Sequence, residues 1–149
     1  MIFSANLLFS EDQDVSQTAG TYVSTNVIDT GAPGTVYGAS AAMSRNVGPG
    51  NKVPVLVQMT EGLDSSGGAA TITFQLETAD VEAFSSTNVI IAQSRAFTEA
   101  EAVDGFKWGI DVLPSDCKRY LRVKYVIAGE TSTAGTVTAG IVADVQTAA

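Results

Sequence analysis

The residues in this chain that could do chemistry are few, and most lack the partners that chemistry requires. Asp80 with Glu82, and Glu99 with Glu101, are closely spaced carboxylates. Two carboxyls held about 5 to 10 Å apart across a sugar could cleave a glycosidic bond, and with further oxygens they could hold calcium. At these places solvated turn and cap roles fit better. Thr98-Glu99-Ala100-Glu101 has capping-box spacing, in which a hydroxyl and a carboxylate satisfy orphan amides at the start of a helical turn. Asp64-Ser65-Ser66-Gly67-Gly68 lacks the remaining ligands of a calcium loop. Cys117 is the only cysteine, and Lys118 and Arg119 follow it. Neighbouring cations favour a thiolate, but the chain contains no histidine to serve as a base. Catalytic triads, imidazole acid–base steps and Cys/His zinc sites each lose a required member. No catalytic residue, cofactor or metal ligand is expected.

The glycines make no phosphate cradle, because neither Gly31-Ala32-Pro33-Gly34 nor Gly48-Pro49-Gly50 leads into a lysine-bearing helix. Both read as turns. Trp108 and the tyrosines Tyr22, Tyr37, Tyr120 and Tyr125 could line a sugar-binding face, yet Trp108 keeps the apolar register of Phe106 and Ile110 and is expected in the core.

The elements that position these residues are strands. The 149 residues suffice for one domain, and the composition, 45% hydrophobic and 16% charged, is too apolar for disorder and too weakly charged for long exposed helices. The excess of Val, Ile and Thr favours a pleated backbone. A single cysteine permits no intramolecular disulfide, so packing alone must hold the fold. The formal charge of −8 repels phosphate backbones and anionic lipid, so neither nucleic acid nor membrane is an expected partner. The N-terminus lacks the basic residues and apolar run of a signal peptide, and no segment reaches the ~20 apolar residues of a membrane span. Synthesis in a cytoplasm is the expectation.

Along the chain, residues 1 to 24 read as an extended arm, apolar at Phe3, Leu7, Leu8 and Phe9 and then acidic. Strands follow at Thr25–Asp29, Lys52–Thr60, Ala70–Thr78, Asn88–Arg95, Gly105–Leu113, Arg119–Ala128 and Thr136–Val145, with Gly, Pro, Asp and Ser between them. In Ala70–Thr78, Ile72, Phe74 and Leu76 alternate with polar residues, so one face is core and the other wet. Pro54 removes a ladder donor, so its strand lies at an edge or pairs only after the proline. Arg119, Arg122 and Lys124 read as solvent-facing positions that blunt a sheet edge and could meet an acidic partner. Helical signals are few and short, a helix of about two turns capped at Thr98–Glu101 and stopped by Gly105 and a single turn at Thr78–Glu82, and 31–51 reads as a loop with one short strand near Thr35–Tyr37. The expected fold is an all-β, antiparallel two-sheet sandwich in a single domain, 1–149.

Several stretches together resemble a known family: Asn6-Leu7-Leu8-Phe9-Ser10, Ser24-Thr25-Asn26-Val27-Ile28-Asp29, Arg119 to Tyr125, and Thr133 to Val142. The chain resembles the small cement, or decoration, proteins that coat the shells of some short-tailed bacteriophages, including the Bordetella phage type. The resemblance implies a jelly roll with an extended N-terminal arm that associates with itself, as a homodimer or trimer, and clamps neighbouring major capsid proteins on the capsid exterior. Its expected contacts are Phe3, Leu7, Leu8 and Phe9 in the arm, Arg119, Arg122 and Lys124 on the basic strand, and the apolar strand Val53–Met59. A jelly-roll carbohydrate-binding module is the alternative, and an enzyme using the carboxylates is a third; neither exposed aromatic rows nor a convergent pocket is visible in the sequence.

Overall fold

A computed structural model of the chain describes residues 3–35, 37–42, 53–86, 88–111, 113 and 117–143. They form ten strands: β1 Phe3–Asp14, β2 Gly20–Val23, β3 Ile28–Asp29, β4 Val55–Ser65, β5 Thr71–Ala79, β6 Val89–Gln93, β7 Phe97–Thr98, β8 Lys107–Ile110, β9 Tyr120–Ala128 and β10 Ser132–Val142. One sheet runs β1-β10-β4-β8 and the other β2-β9-β5-β6, with β3 also on β9 and β7 also on β5. Every ladder is antiparallel. The first strand lies beside the last, and the nested pairs alternate between sheets, which is the jelly-roll path.

Alternation builds the core. In β9 the buried residues are Leu121, Val123, Tyr125 and Ile127, and in β5 Ile72, Phe74 and Leu76 lie opposite them in one sheet. Val55, Val57 and Met59 of β4 and Val137 and Ala139 of β10 belong to the same core cluster. Burying each such side chain contributes about 1.5–3 kcal/mol. Phe74 joins the sheets through its ring, with Trp108 of β8 stacked 5.9 Å away and Tyr125 edge-on at 6.2 Å. Phe106, Trp108 and Ile110 all pack against the core, as their common register predicts, while Val112 lies outside the described residues.

The extended N-terminal segment is paired, as β1, along β10. Its register shifts three times, and Asp12, at φ 41°, turns the backbone at one shift while its N–H reaches Thr138 Oγ1 at 3.0 Å. β4 starts pairing at Val55, just after Pro54. β9 is interior, between β2 and β5, so Arg119, Arg122 and Lys124 do not guard an edge. The Thr25–Asp29 strand shrinks to Ile28–Asp29, and no helix forms among the described residues. At Thr98–Glu101 the capping interactions exist on a turn: the Thr98 N–H meets Glu101 Oε2 at 3.1 Å. Thr78 and Ala79 remain in β5, and the following turn is closed by the Phe84 N–H on the Val81 carbonyl, 3.1 Å. Of the 31–51 loop, Val36 and 43–51 lie outside the described residues, and the rest contains no strand.

Both outer strands of the second sheet are interrupted, and each break is filled by a buried serine. Between β2 and β3, Ser24 Oγ accepts the Val123 N–H at 3.2 Å and donates to the Asn26 carbonyl at 2.8 Å. Between β6 and β7, Ser94 Oγ accepts the Phe74 N–H at 2.9 Å and donates to the Arg95 carbonyl at 2.7 Å. Each hydroxyl replaces a ladder acceptor that the break removes, so no buried amide is orphaned there.

Candidate interaction surface

The arm residues divide sharply. Phe9 is fully buried in the core and Leu8 is buried, whereas Leu7 is 38% exposed; the side chain of Phe3 lies outside the described residues. Phe9 and Leu8 are therefore packing residues of this chain. The apolar strand expected as contact surface is also occupied: Val55, Val57 and Met59 face the core, and Leu56, on the other face, is 1% exposed. Leu56 lies opposite Gly140 on one side and Gly109 on the other. A leucine flanked by residues without side chains has room to settle against the sheet.

The basic strand is largely neutralised from within. Arg119 makes a two-pronged pair with Asp29, Nε to Oδ1 at 2.8 Å and Nη2 to Oδ2 at 2.7 Å, and its guanidinium lies 4.9 Å from the Tyr120 ring. Lys118 pairs with Asp80 at 2.8 Å. Glu77 stands opposite Arg122 in the β5–β9 ladder, and its side chain is only 1% exposed. It accepts from Arg122 Nε at 2.7 Å and from Asn88 Nδ2 at 2.6 Å, with Lys124 Nζ 3.5 Å away. Burial pushes the Glu77 carboxyl up, but the Asn88 and Arg122 hydrogen bonds and the two cations outweigh it and hold the group below its ordinary value. Phe84 caps the cluster, its ring 4.0 Å from the Arg122 guanidinium. Phe84 has φ 49°, a left-handed backbone costly for a bulky residue, and its burial and ring contact offset that strain. The sequence shows the cations of β9 but not Asp29 or Glu77 as their partners, because those contacts span 90 and 45 residues.

The carboxylate pairs are separated in the fold. Glu101 binds Arg95 through both oxygens, at 2.5 and 2.9 Å, and the Arg95 and Thr98 hydrogen bonds lower its pKa to about 2. Glu99 turns to the Ser65 hydroxyl and the Ala70 N–H. Ser65 also meets Glu130, at 2.9 Å, whose carboxylate takes the Gly67 N–H. Ser65 and Glu130 thus organise the 64–68 turn, a role that only a contact between distant turns reveals. Asp80 is held by Lys118, and Glu82 is exposed. Cys117 is buried beside a cavity of about 370 Å³ lined by Ala32, Pro33, Asp80, Lys118 and Arg119. A second, of about 560 Å³, is lined chiefly by Glu61, Leu63, Asp64, Glu99, Val103 and Asp104.

Exposed apolar residues mark surface that a partner could cover. Leu7 lies on β1, Val89 and Ile90, each 44% exposed, lie on β6, and Val103 is 51% exposed in a turn. Among the described residues, no helix is long and apolar enough to cross a membrane. The family model described as Bbp16 matches residues 9–141, from within β1 to within β10. No curated protein matches the chain.

Proposed function

The chain belongs to the Bbp16 family, a family of Bordetella phage proteins, and on that premise we propose that it is a structural component of the virion. In this reading it is a cement protein: it binds the capsid exterior, bridges neighbouring major capsid proteins, associates with copies of itself and does no chemistry. The observation that carries the reading is that the family match spans the jelly roll nearly end to end, so the shared unit is the packed scaffold itself. Its polar side chains support the same view. Glu77, Asp29, Glu101, Ser65 and Ser10 are engaged in holding the scaffold. The acidic excess suits a protein that keeps large particles apart in solution.

The test is to add the purified chain to shells assembled without it and to sediment them. Saturable co-sedimentation and a higher temperature of shell disruption are expected. Chain that stays in the supernatant at saturating concentrations would overturn the reading. Because Phe9 is core, the contact residue to alter is exposed Leu7, and Leu7→Asp is expected to weaken shell binding while leaving the melting temperature of the free chain in place.

A further inference from the structure

We propose that β6 is the self-association edge of this protein, pairing antiparallel with β6 of a second copy to join two β2-β9-β5-β6 sheets into one. This deepens the self-association part of the reading above and rests on it. Among the described residues β6 is hydrogen-bonded on one side only, to β5. A strand with one open side presents a row of amides and carbonyls ready for another chain. Its sequence, Val89-Ile90-Ile91-Ala92-Gln93, contains no charge, and neither do its neighbours Asn88 and Ser94. Val89 and Ile90 are both 44% exposed, which places apolar surface on the two faces of the strand beside the open edge.

Charge selects the partner. The chain carries −8 overall, so two copies repel wherever acidic edges meet. β1 brings Glu11, Asp12 and Asp14, β3 ends on Asp29, and Asp111 follows β8. β2 is uncharged but only 4 residues long. An oppositely charged partner would be drawn to the acidic edges, whereas an uncharged, apolar edge suits a partner of the same sign, which another copy of this chain is. An antiparallel pair centred on Ile91 sets Ile91 against itself, Ile90 against Ala92 and Val89 against Gln93, so no like charges face each other. The contact is two-fold and closes after two copies.

The experiment is sedimentation equilibrium of the wild-type chain beside Ile90→Lys and Gln93→Lys, two exposed positions where lysine is tolerated by the fold but opposes pairing. Circular dichroism and melting check that each variant folds. The wild type is expected at the mass of two chains, and both variants at that of one, 15.4 kDa, or with a dissociation constant raised at least tenfold. An Ile91→Cys chain is further expected to form a disulfide-linked pair under mild oxidation, which keeps the question answerable if a lysine variant fails to fold. A wild type that is monomeric throughout, or folded lysine variants that remain paired, would overturn the proposal. Shell co-sedimentation of the same wild-type protein reads the capsid function separately: pairing through β6 without shell binding would defeat the cement reading and leave this edge standing.

Discussion

Ser10 and Tyr125 meet through their hydroxyl oxygens, 2.8 Å apart in the interior, and so tie the first strand of one sheet to the central strand of the other. Both residues are fully buried. Ser10 donates its own proton to Gln13 Oε1 at 2.6 Å, so the phenol of Tyr125 is the donor in the shared bond. Burial holds the Tyr125 phenol well above its ordinary range.

The assignment of donors makes the two deletions unequal. Tyr125→Phe leaves Ser10 with Gln13 as a partner and is expected to cost about 1 kcal/mol, whereas Ser10→Ala strands a buried phenol and is expected to cost about 2 kcal/mol. Urea unfolding of both variants measures the difference; equal losses would mean that the phenol has another acceptor.

Removing the carboxylate beneath Arg122 and Lys124 is expected to be more damaging. Glu77→Ala leaves two cations, 17% and 19% exposed, over an uncompensated site, for an expected loss of about 3 kcal/mol. A double-mutant cycle with Arg122→Met checks that the loss belongs to the pair, since the doubly altered chain is expected to recover part of it.

The same cluster predicts an acid dependence. A carboxyl whose folded pKa is depressed stabilises the fold above its unfolded value and loses that contribution as pH falls through the folded one. Glu77 and Asp14 are depressed, and Glu101 lies at about 2. Stability is therefore expected to be level above the ordinary glutamate value of 4.5 and to decline from there toward about pH 2. Chemical denaturation across that window measures it, and Glu77→Gln is expected to flatten the decline; an unchanged slope in that variant would remove Glu77 from the account.

The serines that fill the strand breaks give a fourth expectation. Ser94→Ala withdraws the acceptor of the Phe74 N–H in the middle of β5, and a loss of about 1–3 kcal/mol is expected. Amide exchange at Phe74 is the sharper measurement, because its protection is expected to fall more than that of its neighbours in β5. Ser24→Ala is expected to do the same to Val123.

Much of the fold was legible where one face of a strand is wet and the other dry. β5 and β9 alternate without exception over Thr71–Leu76 and Tyr120–Ile127, so the inward residues of those stretches follow from the period alone. β1 was legible only as an extended segment, because its three register shifts break the alternation and place Leu8, Phe9 and Ser10, consecutive in sequence, all in buried positions. β7 has two residues and no periodicity to read. The interaction surface was less legible than the fold. Leu7, Leu8 and Phe9 look alike as letters, and only the pairing of β1 with β10 decides that Leu7 alone stays outside. Arg119, Arg122 and Lys124 announce positive charge, but the carboxylates that consume it come from β3 and β5, and long-range pairing of this kind leaves no local signature.

The seating of β10 between β1 and β4 has a consequence for how the molecule comes off the ribosome. Phe3 must wait for Val142 before the outermost ladder can form, and β4 gains its neighbour on that side only when the same late segment emerges. Contacts this far apart in the chain slow folding, and until they close, two apolar strands stand with bare amides. The sheet thus closes only with the insertion of a central stave, and a chain stalled before it is a candidate for chaperone capture or clumping.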